Sequence, residues 1–296
     1  MEINETTILD DRGFIQINGN EAKDFLQNIV TNDIEKISDN FTSFSSILTP
    51  QGKYLYEFFI VKLNDGYLLE CEKSSISEII KIFSFYKLRS KINLIDVTEK
   101  YINIIISMEK FEEVTKSQNL KGNTINYSNF LIYIDRRNKN LGARIISKAE
   151  KKNEIISDLG LKLVNKEKYY EKSFNLGIPQ INLSKLKNKI FGIENNLDEL
   201  GAIDFKKGCY IGQENTSRIK LRDKLRRRIL PVKKISGEFS ENDTIKFKNN
   251  EIGKIIIDKP FAFGLIKIVD PNLNEFINTE LICGKSKVKV FKPDWI

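Results

Sequence analysis

The apolar pattern of this chain changes near residue 229, and that change constrains the fold more than any other feature. Before it, runs with the alternation of strands are mixed with segments whose apolar residues recur at helical spacing. After it, only short strand-like runs follow, at residues 229–233, 244–247, 251–257, 261–269, 280–283 and 287–291. Asn249-Asn250 and Asp270-Pro271 are predicted turns. A terminal stretch of about 70 residues with this pattern predicts an all-β module, which we interpret as a small barrel.

The first part of the chain predicts a series of hairpins. Strand patterns at 7–9 and 14–17 flank Asp11-Arg12-Gly13 and predict the first hairpin. A second hairpin is predicted from 41–48 and 54–63, which flank Pro50-Gln51-Gly52. The Asn64-Asp65-Gly66 segment then predicts a turn into a strand at 67–71.

The remaining elements before residue 229 alternate between strands and helices. Apolar runs predict further strands at 92–97, 102–107 and 130–134. Helical spacing predicts helices near 75–88, 110–117, 148–158 and 169–176. Residues 180–200 are polar, and they predict a long loop or a partly mobile lid.

Composition favours a protein of about two domains without a membrane span. The chain has 296 residues, of which 41% are hydrophobic and 30% charged. No run approaches the roughly 18 apolar residues of a membrane helix, and the acidic N-terminus lacks the order of a signal peptide. The three cysteines are widely spaced and form no CxxC motif. These features predict a reducing, cytoplasmic location.

The complete absence of histidine restricts the chemistry. It excludes Ser-His-Asp triads, Cys-His dyads and histidine-ligated zinc. Three cysteines also exclude an iron–sulfur site held by four cysteines of one chain. Proton transfer would require carboxylates, lysine, tyrosine, cysteine or a bound cofactor.

One short stretch combines features that few structural requirements would bring together: Lys207-Gly208-Cys209-Tyr210-Ile211-Gly212-Gln213-Glu214. A cysteine lies between two glycines, next to two lysines and just before a possible helix start. This arrangement favours an exposed thiol, its thiolate form, and backbone N–H groups open to a ligand. Cys209 is therefore the candidate reactive thiol or transient metal ligand; the alternative is a small buried residue in a tight turn. Cys71 and Cys283 lie in strand patterns and are expected to be buried.

The positive charge of the chain is concentrated around the same stretch. Residues 206–228 hold nine basic and two acidic side chains, a net +7 of the chain's +8. Arg218 and Lys220 lie nearest the cysteine motif, so they are the better candidates for binding an anion.

The segment from Phe205 to Glu214, followed by Arg218, resembles the signature of the YgfZ-type proteins. These are folate-binding relatives of the glycine cleavage T-protein, an aminomethyltransferase. Supporting matches are Ile17-Asn18-Gly19-Asn20-Glu21-Ala22, Thr49-Pro50-Gln51-Gly52-Lys53 and Gly177-Ile178-Pro179. The resemblance covers roughly residues 7–230, and the terminal barrel only by pattern.

This resemblance implies an α+β, three-lobed, T-protein-like fold with a central cavity and a C-terminal small β-barrel. The implied domains are a folate-binding region at 1–225, with two lobes and a central part at about 45–140, and a barrel at 226–296. The implied cofactor is tetrahydrofolate or a one-carbon derivative, with no permanent metal. The implied partners are iron–sulfur client enzymes, whose clusters the protein helps to assemble or repair. The candidate folate contacts are Lys207, Gly208, Tyr210, Gly212, Gln213, Glu214, Arg218 and Asn175.

Two departures from the aminomethyltransferase pattern matter. The acidic pair that follows the central turn in those enzymes is Tyr56-Glu57 here, which disfavours aminomethyl transfer. Asn175 stands where the family has an acid that contacts folate. Asparagine can still hydrogen-bond a pterin, but it loses the charge-assisted contact. Whether any reaction is catalysed stays open.

Several candidate residues have equally simple structural explanations. Gly208 and Gly212 could admit a ligand or merely form turns, and Gln213 and Glu214 could serve only as first-turn helix residues. The Arg226–Arg228 run could hold the glutamate tail of folate, contact nucleic acid, or form a solvated strand edge.

Two alternative functions follow: a folate-dependent aminomethyltransferase, and a nucleic-acid-binding module associated with tRNA modification. Tyr210 is the one aromatic residue in the basic stretch that bases could stack on. Nucleic acid is therefore not expected as a partner, and neither is a membrane.

Overall fold

The computed structural model describes residues 2–64, 66–128, 130–222, 225–268 and 275–296. Asp65 of one predicted turn, the Asp270-Pro271 turn and Lys224 of the basic stretch lie outside these residues. The chain divides into two compact units. Unit 1 comprises Met1–Ile47, Tyr56–Tyr169 and Leu200–Ile211, and unit 2 comprises Leu48–Leu55, Tyr170–Glu199 and Gly212–Ile296. The predicted boundary near residue 225 stays a prediction.

Strands and helices alternate before the terminal barrel. The strands are β1 (Glu5–Ile8), β2 (Arg12–Asn18), β3 (Ser43–Leu48), β4 (Tyr54–Leu63), β5 (Gly66–Glu72), β6 (Asn93–Asp96), β7 (Tyr101–Ile106), β8 (Thr124–Tyr127), β9 (Phe130–Ile134), β10 (Ala143–Lys148), β11 (Lys162–Leu163), β12 (Arg227–Ser236), β13 (Thr244–Phe247), β14 (Asn250–Ile257), β15 (Phe263–Lys267), β16 (Leu281–Cys283) and β17 (Ser286–Val290). The α-helices are α1 (Ala22–Ile29), α2 (Ile76–Lys87), α3 (Met108–Thr115), α4 (Lys152–Asp158), α5 (Lys166–Asn175) and α6 (Gln213–Leu221).

Two sheets dominate unit 1. One has the order β11-β1-β7-β10-β9-β8, and the other the order β3-β4-β5-β2-β6. Alternate apolar residues of β7, β9 and β10, mostly isoleucines, form a core on one face of the first sheet, and Phe111 of α3 and Ile155 of α4 join it. Burial of such side chains contributes roughly 1.5–3 kcal/mol each relative to exposure.

The first predicted hairpin is wrong, although both of its strands exist. β1 pairs with β7 and β11, whereas β2 pairs with β5 and β6 in the other sheet. Local alternation predicts a strand but not its partner, which is chosen by long-range packing. The second predicted hairpin is confirmed: β3 and β4 are neighbours, and the turn between them has Gly52 at a φ of +80°.

β10 is a strand that the sequence did not predict. It lies between β7 and β9 in the sheet, and Arg144 interrupts its apolar pattern. That arginine is nevertheless only 1% exposed. Because the buried Arg144 breaks the alternation of apolar residues, the sequence pattern did not indicate the central strand β10.

The predicted long loop at residues 180–200 is confirmed, because the segment contains no α-helix and none of the strands β1–β17, and its role as a lid stays a prediction. It contains two 3₁₀ turns, Leu183–Leu186 and Gly192–Asn195. Apolar side chains at almost regular intervals are buried, namely Leu183, Leu186, Ile190, Ile193, Leu197 and Leu200. The segment is polar on average, but its apolar residues anchor it along its whole length.

The predicted terminal barrel is confirmed, and with it the α+β fold class. β12–β17 close in the order β12-β15-β14-β13-β16-β17 around a core that includes Leu230, Ile255, Phe276 and Val288. Among the described residues, no helix is long and apolar enough to cross a membrane.

Candidate functional site

Lys207, in the cysteine motif, is buried and hydrogen-bonded to the end of α1 and to the loop that follows it. Its ammonium group donates to the carbonyl oxygens of Gln27 (2.7 Å), Val30 (2.7 Å) and Asn32 (2.9 Å). The three N–H bonds of the ammonium thus each have a carbonyl acceptor. Burial lowers the pKa of Lys207 to about 8, against a smaller raising effect of Asp33 and Asp204.

The loop after α1 is itself fixed by polar contacts within unit 1. Thr31 Oγ1 donates to the carbonyl of Ala202 at 2.7 Å. Asn32 Nδ2 donates to the carbonyls of Phe44 (2.7 Å) and Gly201 (2.8 Å). The loop therefore presents its own carbonyls to Lys207 in a fixed position.

Beyond Lys207 the motif has one buried and one exposed side. The Tyr210 side chain is buried, and its ring centroid lies 5.2 Å from the Lys207 ammonium, in a cation–π contact. Cys209 is exposed, and a Cβ built on Gly208 would meet no atom within 4 Å. The predicted exposure of this thiol is confirmed, and its reactivity stays a prediction.

The other two cysteines behave as expected of buried strand residues. Cys71 lies in β5 and Cys283 in β16, and both are buried. Burial raises the pKa of Cys71 to about 12 and that of Cys283 to about 11. Both thiols are therefore protonated at neutral pH.

The second half of the motif begins the last segment of unit 2, Gly212–Ile296. Gly212 has a φ of +85°, and a Cβ there would lie 2.5 Å from the carbonyl oxygen of Thr49. This glycine is therefore required by packing as well as by its backbone conformation. The predicted helix start is confirmed, because α6 begins at Gln213.

On α6, the charged candidates form a surface pair. Arg218 contacts Glu214 at 2.5 Å, and the two side chains are 54% and 85% exposed. Such exposed pairs contribute about 0–1 kcal/mol, so either group can exchange its partner for a ligand at little cost. Lys220 pairs with Asp198 instead.

Asn175 is exposed at the last residue of α5. The chain that follows it is fixed by the C-terminal residues. Trp295 Nε1 donates to the carbonyl of Leu176 at 2.6 Å, and Pro293 fills the space where a Gly177 side chain would lie. The amide of Asn175 thus projects from an anchored helix end.

The candidate residues fall into two groups. Lys207, Gly208, Cys209 and Tyr210 belong to unit 1 and are brought together there, whereas Gly212, Gln213, Glu214, Arg218 and Asn175 belong to unit 2. In the Arg226–Arg228 run, Arg227 pairs with Glu194 (2.8 Å) and Arg228 with Glu199 (2.6 Å), while Arg226 is exposed.

A buried cluster of charges in unit 1 was missed by sequence reasoning. Glu70 of β5 contacts Arg12 and, at 3.1 Å, Arg144. Asp135 pairs with Arg144 (3.2 Å) and with Arg137 (2.8 Å). The available signal was a charged residue at an inward position of an apolar strand, as at Glu70 and Arg144.

Two further side chains, Tyr133 and Glu57, lie next to the charged groups of this cluster. Tyr133 donates to Glu70 at 3.0 Å, and Arg137 lies 3.9 Å from Glu57, the carboxylate retained after the central turn. Burial alone would raise the pKa of Glu70, but Arg12 and Arg144 outweigh it and hold that pKa below its ordinary value. The carboxylate is therefore ionised in the folded protein.

Among the described residues, no group of three or more cysteine or acidic side chains could hold a metal ion.

The structure resembles the glycine cleavage system aminomethyltransferase T from Bartonella henselae, with a TM-score of 0.74 over 99% of this chain and 86% of that one. The sequence identity is 12%, so this comparison shows the fold alone, and it confirms the predicted T-protein-like fold.

The most informative sequence relatives are iron–sulfur cluster assembly factors. The chain is 29% identical over 284 residues to the mitochondrial iron–sulfur cluster assembly factor IBA57 homolog of Neurospora crassa. It is 28% identical over 253 residues to the corresponding homolog of Dictyostelium discoideum. These alignments cover 93% and 76% of this chain and 62% and 61% of the relatives, so the chain spans about three-fifths of their length. No protein-family model matches the chain.

These relatives correct one expectation. Their names place them in mitochondria, so the cytoplasmic location predicted from the sequence is contradicted. The lack of a signal-peptide pattern and the spacing of cysteines do not distinguish between reducing compartments.

Proposed function

We propose that this protein is a folate-binding accessory factor for the assembly or repair of iron–sulfur clusters in client enzymes. The observation that carries the proposal is the exposed Cys209 on a segment anchored by Lys207. The similarity to iron–sulfur cluster assembly factors supports the assembly role.

In this proposal, Cys209 is the group that acts on the cluster. Its thiolate would ligate iron transiently, with the remaining ligands supplied by the client or by a second assembly protein. Lys207 is a positioning residue, because its three N–H bonds already reach backbone carbonyls and hold the turn that presents the thiol.

The donor chemistry of unit 2 fits a folate. The exposed Asn175 amide can both donate to and accept from a pterin edge, and the exposed Arg218 guanidinium suits a carboxylate of the glutamate tail. Tetrahydrofolate would supply one-carbon or redox chemistry when bound. The proposed folate contacts of this chain are Asn175, Gln213 and Arg218.

The assembly role is tested by restoring the activity of an iron–sulfur enzyme in cells that lack their own factor. Cys209→Ala and Cys209→Ser are expected to fold normally, since the residue is exposed, but to restore little activity. Cys283→Ala, which removes a buried thiol, serves as the matched control and should restore activity wherever it folds. Full restoration by Cys209→Ala would refute the role of this thiol.

Folate binding is tested separately by calorimetry with tetrahydrofolate. Asn175→Ala and Arg218→Ala are each expected to weaken binding by about fivefold to tenfold. Lys246→Ala, which removes an exposed lysine of β13 in the barrel, is the control. Absence of heat with the wild-type protein would remove the folate part of the proposal and leave the assembly role intact.

A further inference from the structure

A groove in unit 2 between α6 and the barrel has no role in the function proposed above. Its volume is about 780 Å³, and its lining includes four large apolar side chains: Phe191, Ile219, Leu225 and Ile268. Each of them is half-buried rather than fully packed. We call this surface the α6–barrel groove.

Three cations border the groove: Arg226, Arg227 and Lys267. One carboxylate, Glu194, also lines it, but both of its oxygens are used. One accepts from Arg227 at 2.8 Å and the other from the backbone N–H of Phe191 at 2.8 Å. The border of the groove is therefore positive, with its acid already neutralised.

Arg226 differs from four other basic side chains of the 206–228 stretch. Arg218, Lys220, Arg227 and Arg228 each have a carboxylate partner. The guanidinium of Arg226 is exposed and contacts no carboxylate among the described residues, although its carbonyl accepts from Ile268 at 2.8 Å. Its backbone is thus fixed next to the start of β12, and its guanidinium lies exposed at the edge of the groove.

We propose that the α6–barrel groove binds a short acidic segment of a partner protein that also carries large apolar side chains. The apolar side chains would cover Ile219, Leu225 and Ile268, and the carboxylates would meet Arg226 and Lys267. Apolar contact supplies affinity in such a groove, and the complementary charge sets the orientation and speeds association. The proposal stands independently of folate and of Cys209.

The test uses the full chain and a short fluorescein-labelled synthetic peptide rich in glutamate and leucine, with binding followed by fluorescence anisotropy. Arg226→Glu is expected to weaken binding by about tenfold, because it reverses an exposed charge that borders the groove. Arg222→Glu is the matched control, since Arg222 is an equally exposed arginine of the same segment that does not line the groove. It should change the affinity by less than about twofold.

A second pair of measurements tests the contribution of apolar contacts to peptide binding. A peptide with serine in place of leucine, and the Ile219→Ser variant with the original peptide, should each bind about tenfold more weakly. Thermal unfolding of each variant verifies that it is folded.

Four results would overturn the proposal. The first two are no binding of the peptide by the wild type, and equal losses of affinity with Arg226→Glu and Arg222→Glu. The other two are equal affinity for the leucine and serine peptides, and displacement of the peptide by single-stranded RNA with the same dependence on Arg226. The last result would make nucleic acid the occupant.

Discussion

Two sites of unit 1 each bury positive charge but surround it with different kinds of partner. Arg12 and Arg144 meet the carboxylate of Glu70, and Arg144 also meets that of Asp135, so opposite charges compensate the two arginines. Lys207 meets the neutral carbonyls of Gln27, Val30 and Asn32. The first arrangement forms a closed structural cluster, whereas the second leaves a net positive charge within the turn that exposes Cys209.

This difference is visible in the direction of the pKa shifts. Burial would lower the pKa of Arg144, but Glu70, Tyr169 and Asp135 outweigh it and raise that pKa well above its ordinary value. No carboxylate of comparable influence reaches Lys207, and burial lowers its pKa to about 8. Four predictions test the contrast.

The largest effect is expected from breaking the carboxylate-paired cluster. Glu70→Gln keeps the shape of the side chain but leaves two buried arginines with less compensation, so the free energy of unfolding should fall by about 3–5 kcal/mol. Urea unfolding measures it. Glu154→Gln removes one partner of the exposed Lys151–Glu154 pair and should cost less than about 0.5 kcal/mol. A loss below about 1 kcal/mol for Glu70→Gln would show that the cluster is not structural.

A smaller loss of stability is expected from removing the Lys207 ammonium group, which is bonded to three backbone carbonyls. Lys207→Met preserves the aliphatic length of the side chain but removes the donors from three carbonyls, and it should cost about 2 kcal/mol in the free energy of unfolding. Part of the free energy lost with these hydrogen bonds is regained, because the cost of burying the charge also disappears. Lys206→Met, an exposed neighbour, is the control. Equal stability of both variants would contradict the anchoring role of Lys207.

The contribution of Glu70 to stability should change in the acidic pH range, and that of Lys207 in the alkaline range. The folded pKa of Glu70 is lowered, so its stabilisation is present above its ordinary pKa and is lost as the pH falls through the folded value. The folded pKa of Lys207 is about 8 against 10.5 ordinarily, so the unfolded chain holds more protons between these values. The stability of the wild type relative to Lys207→Met should therefore rise from pH 8 to 10.5. A flat difference over that range would contradict the burial of its charge.

The smallest structural effect is expected at the exposed side of the motif. Cys209→Ala should change the free energy of unfolding by less than about 0.5 kcal/mol, because the side chain is exposed. Iodoacetamide should label Cys209 alone in the folded wild type, and Cys71 and Cys283 only after unfolding. Intact-mass spectrometry counts the labels, with Cys209→Ala as the blank. Two or more labels on the folded chain would contradict the burial of the other thiols.

Much of the architecture could be predicted from local pattern. The barrel strands, most helices and the turn at Pro50-Gln51-Gly52 follow from periodicity and turn residues, which depend on neighbours in the chain. The pairing of β1 could not be predicted, because its partner β7 lies almost a hundred residues away. β10 could not be predicted for the same reason. Its Arg144 has the pattern of an exposed charge, and its partner Glu70 is distant along the chain.

At the candidate site, the sequence by itself determined the identity of the motif, the absence of histidine and the local excess of positive charge. Only the tertiary structure decided how each lysine and arginine is used. A sequence specifies which charges exist, but burial and partners set the free energy of each one, and these depend on residues distant along the chain. Thus Lys207 became an anchor, Arg227 and Arg228 became paired, and Arg226 remained available at the groove.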